Sequence, residues 1–274
     1  STSPEGTAKL GGRELRLRSF SVTDEHGTAL GQGYLWQDVT EDRLVERLKT
    51  SLLTTASHEL RTPLANIKGY VSTLLADDIE WELAEQRQFL ATISTETDRL
   101  TSLLGNLLDM SRIEAGALTI TPVSVAVADL VERAVAGISP DGRARLRIDL
   151  ADGERTADVD RARIETAIRN LVDNALKFSA PVTVVDVTGR WSDGELRITV
   201  RDRGVGVPDD LRERIFDSFV RSDDGLARRA GGFGLGLAIC SGFVAAHGGR
   251  VWFEPEQPGT SFTIALPLGR GAQV

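Results

Sequence analysis

One cysteine, Cys240, one methionine, Met110, three histidines and a 5% share of aromatic residues are all that this 274-residue sequence holds of those types. A lone cysteine excludes an internal disulfide. With so few histidines beside it, no Cys/His set for structural zinc is present either, and the pattern fits a reducing compartment. No apolar run approaches the ~20 residues of a membrane-spanning helix and no signal peptide opens the chain. The sequence therefore predicts a cytoplasmic segment without membrane contact, any membrane anchor of a larger protein lying outside it. Positive charge is in deficit, with Lys+Arg 32 against Asp+Glu 40 and a net charge of −8, so a basic footprint for nucleic acid is absent. Prolines number only 9 while 41% of residues are hydrophobic, which excludes wholesale disorder and suffices for two domains.

The texture changes twice along the chain. Ser1 to Gly12 is small and polar and reads as a flexible lead. Leu15, Leu17, Phe20 and Val22, a turn-prone Asp24-Glu25-His26-Gly27, and Tyr34-Leu35-Trp36-Gln37-Asp38-Val39 then predict one β-hairpin. Two strands alone are marginal in water, so residues 1–40 read as a lead and the end of a larger sheet. The closing Asp38-Val39-Thr40-Glu41 resembles the exit of a PAS domain, an upstream sensory module. From 41 to 116 the period becomes helical. Leu44, Leu48, Leu52, Ala56, Leu60, Leu64, Ile67, Val71 and Leu74 form one stripe, and after an acidic break Leu90, Ile93, Thr97, Leu100, Leu104, Leu107 and Ser111 form another, ending at Gly116. A hairpin of two helices cannot cover both stripes by itself, so packing predicts a homodimer with a four-helix bundle. Residues 117–274 read as α+β: short β-type runs (Leu118–Ile120, Leu146–Ile148, Val182–Val187, Leu196–Val200, Phe262–Leu266) alternate with helical patterns near 126–137, 161–178 and 234–246. A turn at Ser192-Asp193-Gly194 predicts a hairpin within a mixed or antiparallel sheet.

Four groups of residues carry candidate chemistry. His58, in Ser57-His58-Glu59-Leu60-Arg61-Thr62-Pro63, lies about 200° from both Ala56 and Leu60 at 100° per residue, facing away from the bundle seam. A neutral imidazole is a competent nucleophile, and Glu59 beside it could take the proton from the ring nitrogen that does not attack. A solitary histidine on a polar face is more commonly an idle surface residue; this one gains weight from three further groups downstream. Asn170, Asn174 and Lys177 fall at i, i+4 and i+7 on one helix face. Their amide oxygens suit Mg²⁺ and the ammonium suits phosphate, although such residues singly are ordinary solvated positions. Asp202-Arg203-Gly204-Val205-Gly206-Val207 comes after a β-run, its carboxylate suited to accept from an exocyclic amine and its glycines to close ligand approach. Gly231-Gly232-Phe233-Gly234-Leu235-Gly236-Leu237 feeds a helix whose open amides favour phosphate, or else serves tight packing. Between the two glycine groups, Ile215 to Arg221 precedes a polar stretch, Ser222 to Ala230, that reads as a lid.

In this order the segments resemble the H-, N-, G1-, F- and G2-boxes of sensor histidine kinases of two-component systems, over about residues 41–268. The resemblance implies a HisKA-type dimerisation and phosphoacceptor domain followed by a Bergerat-type ATP-binding (HATPase) domain, an α/β sandwich of three helices on a mixed, largely antiparallel sheet. It implies ATP and Mg²⁺ as ligands, a response regulator receiver domain as partner, autophosphorylation of a histidine and transfer to a regulator aspartate, with phosphatase action on that regulator.

By position, His58 is then the phosphoacceptor, Glu59 its acid/base partner and Thr62 the residue orienting water for dephosphorylation. Asn174 would hold Mg²⁺, Asn170 and Lys177 attend the phosphates, Phe178 pack on adenine and Asp202 meet its amino group. Gly204, Gly206, Arg221, Gly232, Gly234, Leu235 and Gly236 complete the nucleotide site. Phe178 stands where tyrosine is frequent, and Arg203 and Phe233 where smaller residues are. Two rivals remain: a conformational ATPase of the Bergerat type, such as a chaperone or mismatch-repair relative, in which nucleotide closes a lid without histidine phosphorylation, and a scaffold or phosphatase-only protein. The bundle with His58-Glu59 argues against the first, and the retained Asn174, Asp202 and glycine boxes against the second.

Overall fold

Alternating apolar and polar residues near the start of the chain build a three-stranded antiparallel sheet in the order β1-β2-β3: Glu5–Leu10, Arg13–Thr23 and Ala29–Asp38. The computed structural model describes residues 5–26, 28–40, 60–76, 79, 81–220 and 234–267, divided into the units Ser1–Thr62 and Pro63–Val274. The first strand corrects the expected flexible lead and single hairpin. Gly11 and Gly12 have φ of 57° and 81°, and Leu10 lies opposite Arg13, so the glycines make a two-residue turn that requires positive φ at both positions. Glycine content suggests flexibility where it encodes a hairpin. Between β2 and β3, the Asp24 carboxylate accepts from the amides of His26 and Thr28 at 2.9 and 2.8 Å. The Phe20 ring lies over Gly33, while Tyr34, Leu35 and Trp36 are each more than half exposed.

The described part of the first helical stripe, from Leu60 on, and the second stripe form the expected hairpin, while Leu44, Leu48, Leu52 and Ala56 lie outside the described residues. Helix α1 is described over 60–74, and α2 runs from Leu83 to Glu114. A capping box of Glu82 and Glu85 starts α2. Trp81 closes the turn, donating from Nε1 to the Thr73 carbonyl at 3.1 Å and stacking edge-on against Phe89, 5.1 Å away. Leu103 and Met110 are buried within the chain, whereas Leu64, Leu90, Leu104 and Leu108 remain 49–61% exposed. That leaves an apolar face along the hairpin for a second copy. Leu104→Asp is expected to weaken dimerisation by at least ~10²-fold, because a carboxylate on that face would be buried without a partner. Sedimentation over a dilution series checks this, and an unchanged dimer would show that the interface lies elsewhere. No helix among the described residues is long and apolar enough to cross a membrane.

Beyond α2 comes the α/β sandwich. Its sheet has the order β5-β7-β8-β10-β9, from Leu146–Leu150, Val185–Ser192, Glu195–Arg201, Gly259–Pro267 and Arg250–Glu256. Only β5 and β7 are parallel. A small ladder pairs β4 (Val123–Ala126) with β6 (Thr156–Val159). Three helices, α3 (Val127–Val135), α5 (Arg161–Phe178) and α6 (Gly236–Ala246), bury their apolar faces on the sheet, and a short α4 (Pro140–Ala144) precedes β5. Leu130, Ile168, Leu171, Val187, Ile198 and Ile264, all essentially inaccessible, form the centre of one core. The β-type reading of Leu118–Ile120 is not met: Leu118 instead packs against a second cluster around Met110 and Phe243, which seats α2 on α6. The strand begins only at Val123. Asp193 and Gly194, with φ of 52° and 77°, make the expected tight turn between β7 and β8.

Candidate functional site

Helix α5 supplies one wall of the site. Asp160 caps its N-terminus, accepting from Arg163 N–H at 3.3 Å and, through its other oxygen, from Thr121 N–H at 3.0 Å. Its apolar residues Ile164, Ile168, Leu171 and Ala175 face the core, which leaves Asn170, Asn174 and Lys177 partly exposed on the other side. The Asn170 amide donates to the Gly236 carbonyl at 3.0 Å, lacing α5 to the first turn of α6 and leaving its own oxygen available. The Asn174 side chain makes no hydrogen bond with any other described residue. Lys177 Nζ lies 4.8 Å from the centre of the Phe178 ring.

Asp202 forms the second wall, immediately after β8. It is 5% exposed, and burial raises its carboxyl above the usual aspartate range, partly offset by hydrogen bonds with the backbone of Gly204 and Thr260. The Gly204 amide donates to Oδ1 at 2.7 Å, and the Asp202 amide donates to the Thr260 carbonyl at 2.9 Å. A Cβ on Gly204 would stand 2.3 Å from the Phe178 carbonyl. Only glycine permits that contact, which joins the Asp202 loop directly to the end of α5. Gly206 has φ of 77°. Sequence reading misses Gly259, whose Cβ would meet the Asp202 carbonyl at 2.1 Å. Gln257-Pro258-Gly259 carries a turn signal, but nothing local in the sequence ties it to Asp202.

The third wall is the start of α6, where no described side chain caps the helix, leaving backbone amides suited to an anion. Gly234 has φ of 66°, and its carbonyl accepts from Phe219 N–H at 2.9 Å. That bond joins described residues on either side of the segment read as a lid, Ser222 to Ala230, which itself lies outside the described residues. Leu235 is 1% exposed within the apolar cluster of Met110, Ile239 and Phe243, so its side chain is core, and only its backbone could meet a ligand. Arg203 points elsewhere: it pairs with Asp186 at 2.7 Å and donates to the Val184 carbonyl. Burial alone would raise Asp186, but its hydrogen bonds and ion pairs with Arg147 and Arg203 outweigh this and hold it below the usual range. His58, Glu59, Arg221 and Gly232 lie outside the described residues. Thr62 is exposed on α1, in the first unit.

The structure thus brings Asn170 to Gly236 and Phe178 to Gly204 and Asp202, an arrangement able to hold a purine at one end and phosphates at the other. Residues 159–270 match the family described as histidine kinase-, DNA gyrase B- and HSP90-like ATPase, and residues 48–116 match the His Kinase A (phospho-acceptor) domain. The chain belongs to the sensor histidine kinases. The ATPase match alone would leave conformational ATPases open; the phosphoacceptor match before it separates them. The chain is 34% identical over 265 residues to the alginate biosynthesis sensor protein KinB of Pseudomonas aeruginosa, covering 93% of this chain and 43% of KinB. It is 30% identical to the sensor histidine kinase WalK of Bacillus subtilis, covering 92% and 42% respectively. The chain therefore spans less than half the length of these relatives. Among solved structures, full-length ShkA in complex with AMPPNP matches at 29% identity and a TM-score of 0.58, covering 82% of this chain and 47% of that one.

Proposed function

We propose that this chain autophosphorylates His58 from MgATP and passes the phosphoryl group to an aspartate on a response regulator receiver domain. The observation that carries the reading is the joining of Asn170 to Gly236 and of Phe178 to the Asp202 loop, on a chain that also matches a phosphoacceptor domain. The AMPPNP complex of ShkA supports ATP as the nucleotide. We assign residues 1–40 to a sheet upstream, in line with a PAS-like sensory end, 41–116 to dimerisation and phosphoacceptance, and 117–274 to ATP binding.

In this reading Asp202 accepts from the adenine amino group, Phe178 packs on the ring, and Gly204 and Gly206 let the backbone approach. Lys177 neutralises phosphate charge, and Gly234 and the amides of Leu235 and Gly236, with Arg221 and Gly232, receive the phosphates. The oxygens of Asn174 and, beside it, Asn170 are hard, neutral donors on the phosphate side, and they fit Mg²⁺, which supplies charge neutralisation when bound. One nitrogen of His58 attacks the γ-phosphorus in line, forming an N–P bond as the bond to the β,γ-bridging oxygen breaks and ADP leaves. Glu59 takes the proton from the other ring nitrogen. The N–P bond breaks in turn when the regulator carboxylate forms an O–P bond.

Thr62 stands four residues after His58 in the sequence, and in this reading its hydroxyl orients a water toward a docked phosphoaspartate, while the imidazole does not need it for deprotonation. Thr62→Ala is expected to autophosphorylate and transfer at near-normal rates while failing to speed phosphate loss from the regulator. Glu59→Ala should chiefly slow autophosphorylation, by ~10²–10⁴-fold. Both rates are measured with purified regulator. Dephosphorylation by Thr62→Ala as fast as by the parent would remove the water-orienting role.

A further inference from the structure

We propose that Arg145, between α4 and β5 and far in sequence from every box, is a positioning residue that sets nucleotide affinity and base selectivity. The proposal rests on the reading of α5 and the Asp202 loop as the ATP site. The Arg145 guanidinium donates from Nε to the Thr183 carbonyl at 3.0 Å, from one terminal nitrogen to Leu176 at 3.2 Å, and from the other to Ala180 at 3.0 Å and Ser179 at 3.5 Å. Its own carbonyl accepts from Val185 N–H at 2.9 Å, where β7 begins. Arg145 pairs with no carboxylate among the described residues, so its donors serve the main chain of a single segment, the exit from α5.

That exit needs such a residue. The last carbonyls of a helix have no partner within it and form the negative end of its dipole. The last turn of α5 carries one cation, Lys177, which the reading above gives to phosphate, and neither Ser179, the residue that caps α5, nor the Ala180-Pro181 after it brings another. A guanidinium carries five N–H donors in a rigid fork and no acceptor, which matches several carbonyls at once. The clamped segment adjoins the nucleotide. Lys177 and Phe178 lie within it, and the Phe178 carbonyl is packed under Gly204, whose amide holds the Asp202 carboxylate. Releasing the clamp lets the end of α5 relax, and with it the spacing between the base-recognising carboxylate of Asp202 and the positions of Lys177 and Phe178.

The consequence is selective. Ground-state binding of the nucleotide suffers, whereas attack by His58 depends on a group supplied from another part of the chain. Arg145→Gln in the full chain is expected to raise KM for ATP about tenfold, the scale of one lost net hydrogen bond, with kcat within about threefold of the parent. Preference for ATP over GTP should narrow by a similar factor, because guanine presents a carbonyl where adenine presents the amine. Arg145→Lys, which keeps the charge and three donors, should fall between the two and carries the test if the glutamine variant does not fold.

Asp202→Asn is measured alongside, because it tests the underlying reading directly. Unchanged ATP affinity in Asp202→Asn would overturn the site assignment itself. If Asp202→Asn loses affinity while the Arg145 variants lower only the melting temperature or kcat, with KM and the ATP/GTP ratio unmoved, Arg145 is a stability residue and the proposal fails.

Discussion

Asn174→Ala is expected to lower kcat/KM for ATP on the order of 10²-fold or more and to flatten the dependence of the remaining activity on Mg²⁺. The two asparagines of α5 are chemically alike but differently employed. Asn170 uses its amide group to hold the first turn of α6 through Gly236, so removing it would disturb the walls of the site as well as its ligands. Asn174, partly exposed and with no side-chain hydrogen bond to another described residue, has no such duty. Its oxygen is available, and alanine at that position keeps or improves the helix. The variant should therefore melt close to the parent temperature without nucleotide while losing the Mg²⁺-dependent part of ATP binding. Titration of ATP affinity against Mg²⁺ in both proteins separates the effects. Retained Mg²⁺ dependence would show that the metal is held by other groups.

His58→Gln is expected to remove autophosphorylation altogether, the largest effect of any substitution considered, while leaving nucleotide binding nearly intact. Glutamine keeps polarity and approximate size but has no nucleophilic ring nitrogen, so no N–P bond can form. The proposed nucleotide site is built from α5, the Asp202 loop and the start of α6, none of which includes His58. Binding and chemistry thus reside on different parts of the chain, and the loss of one should spare the other. That separation is a stronger expectation than loss of activity alone, since a misfolded variant would lose both.

The helical hairpin, the three helices of the sandwich and most of its sheet are legible in the sequence because each depends on local periodicity. The pattern places α5 at its observed limits of Arg161 and Phe178, since its apolar stripe and Asp160 cap both lie in the adjacent sequence. Sequence and structure part where the same residue types serve two ends. Gly11-Gly12 suggests looseness and forms a tight turn. Leu235 groups by sequence with the glycines around it, yet its side chain belongs to the core that seats α6 on α2. Gly259 and Arg145 are invisible for another reason: their contacts reach across 57 residues to Asp202 and 31 to Leu176, and no local pattern encodes a partner that only tertiary structure supplies. Function is more legible than contact geometry, because the boxes resemble a family whose ligands are known.

The central claim, that ATP phosphorylates a histidine of this chain and that the histidine is His58, is tested most directly by incubating the protein with Mg²⁺ and ATP carrying a radioactive γ-phosphate, then treating the labelled protein with acid or base. Label on the parent protein should survive base and be lost in acid, and His58→Gln should take up no label while still binding ATP. Acid-stable label on the parent, or acid-labile label of equal amount on His58→Gln, would contradict the claim.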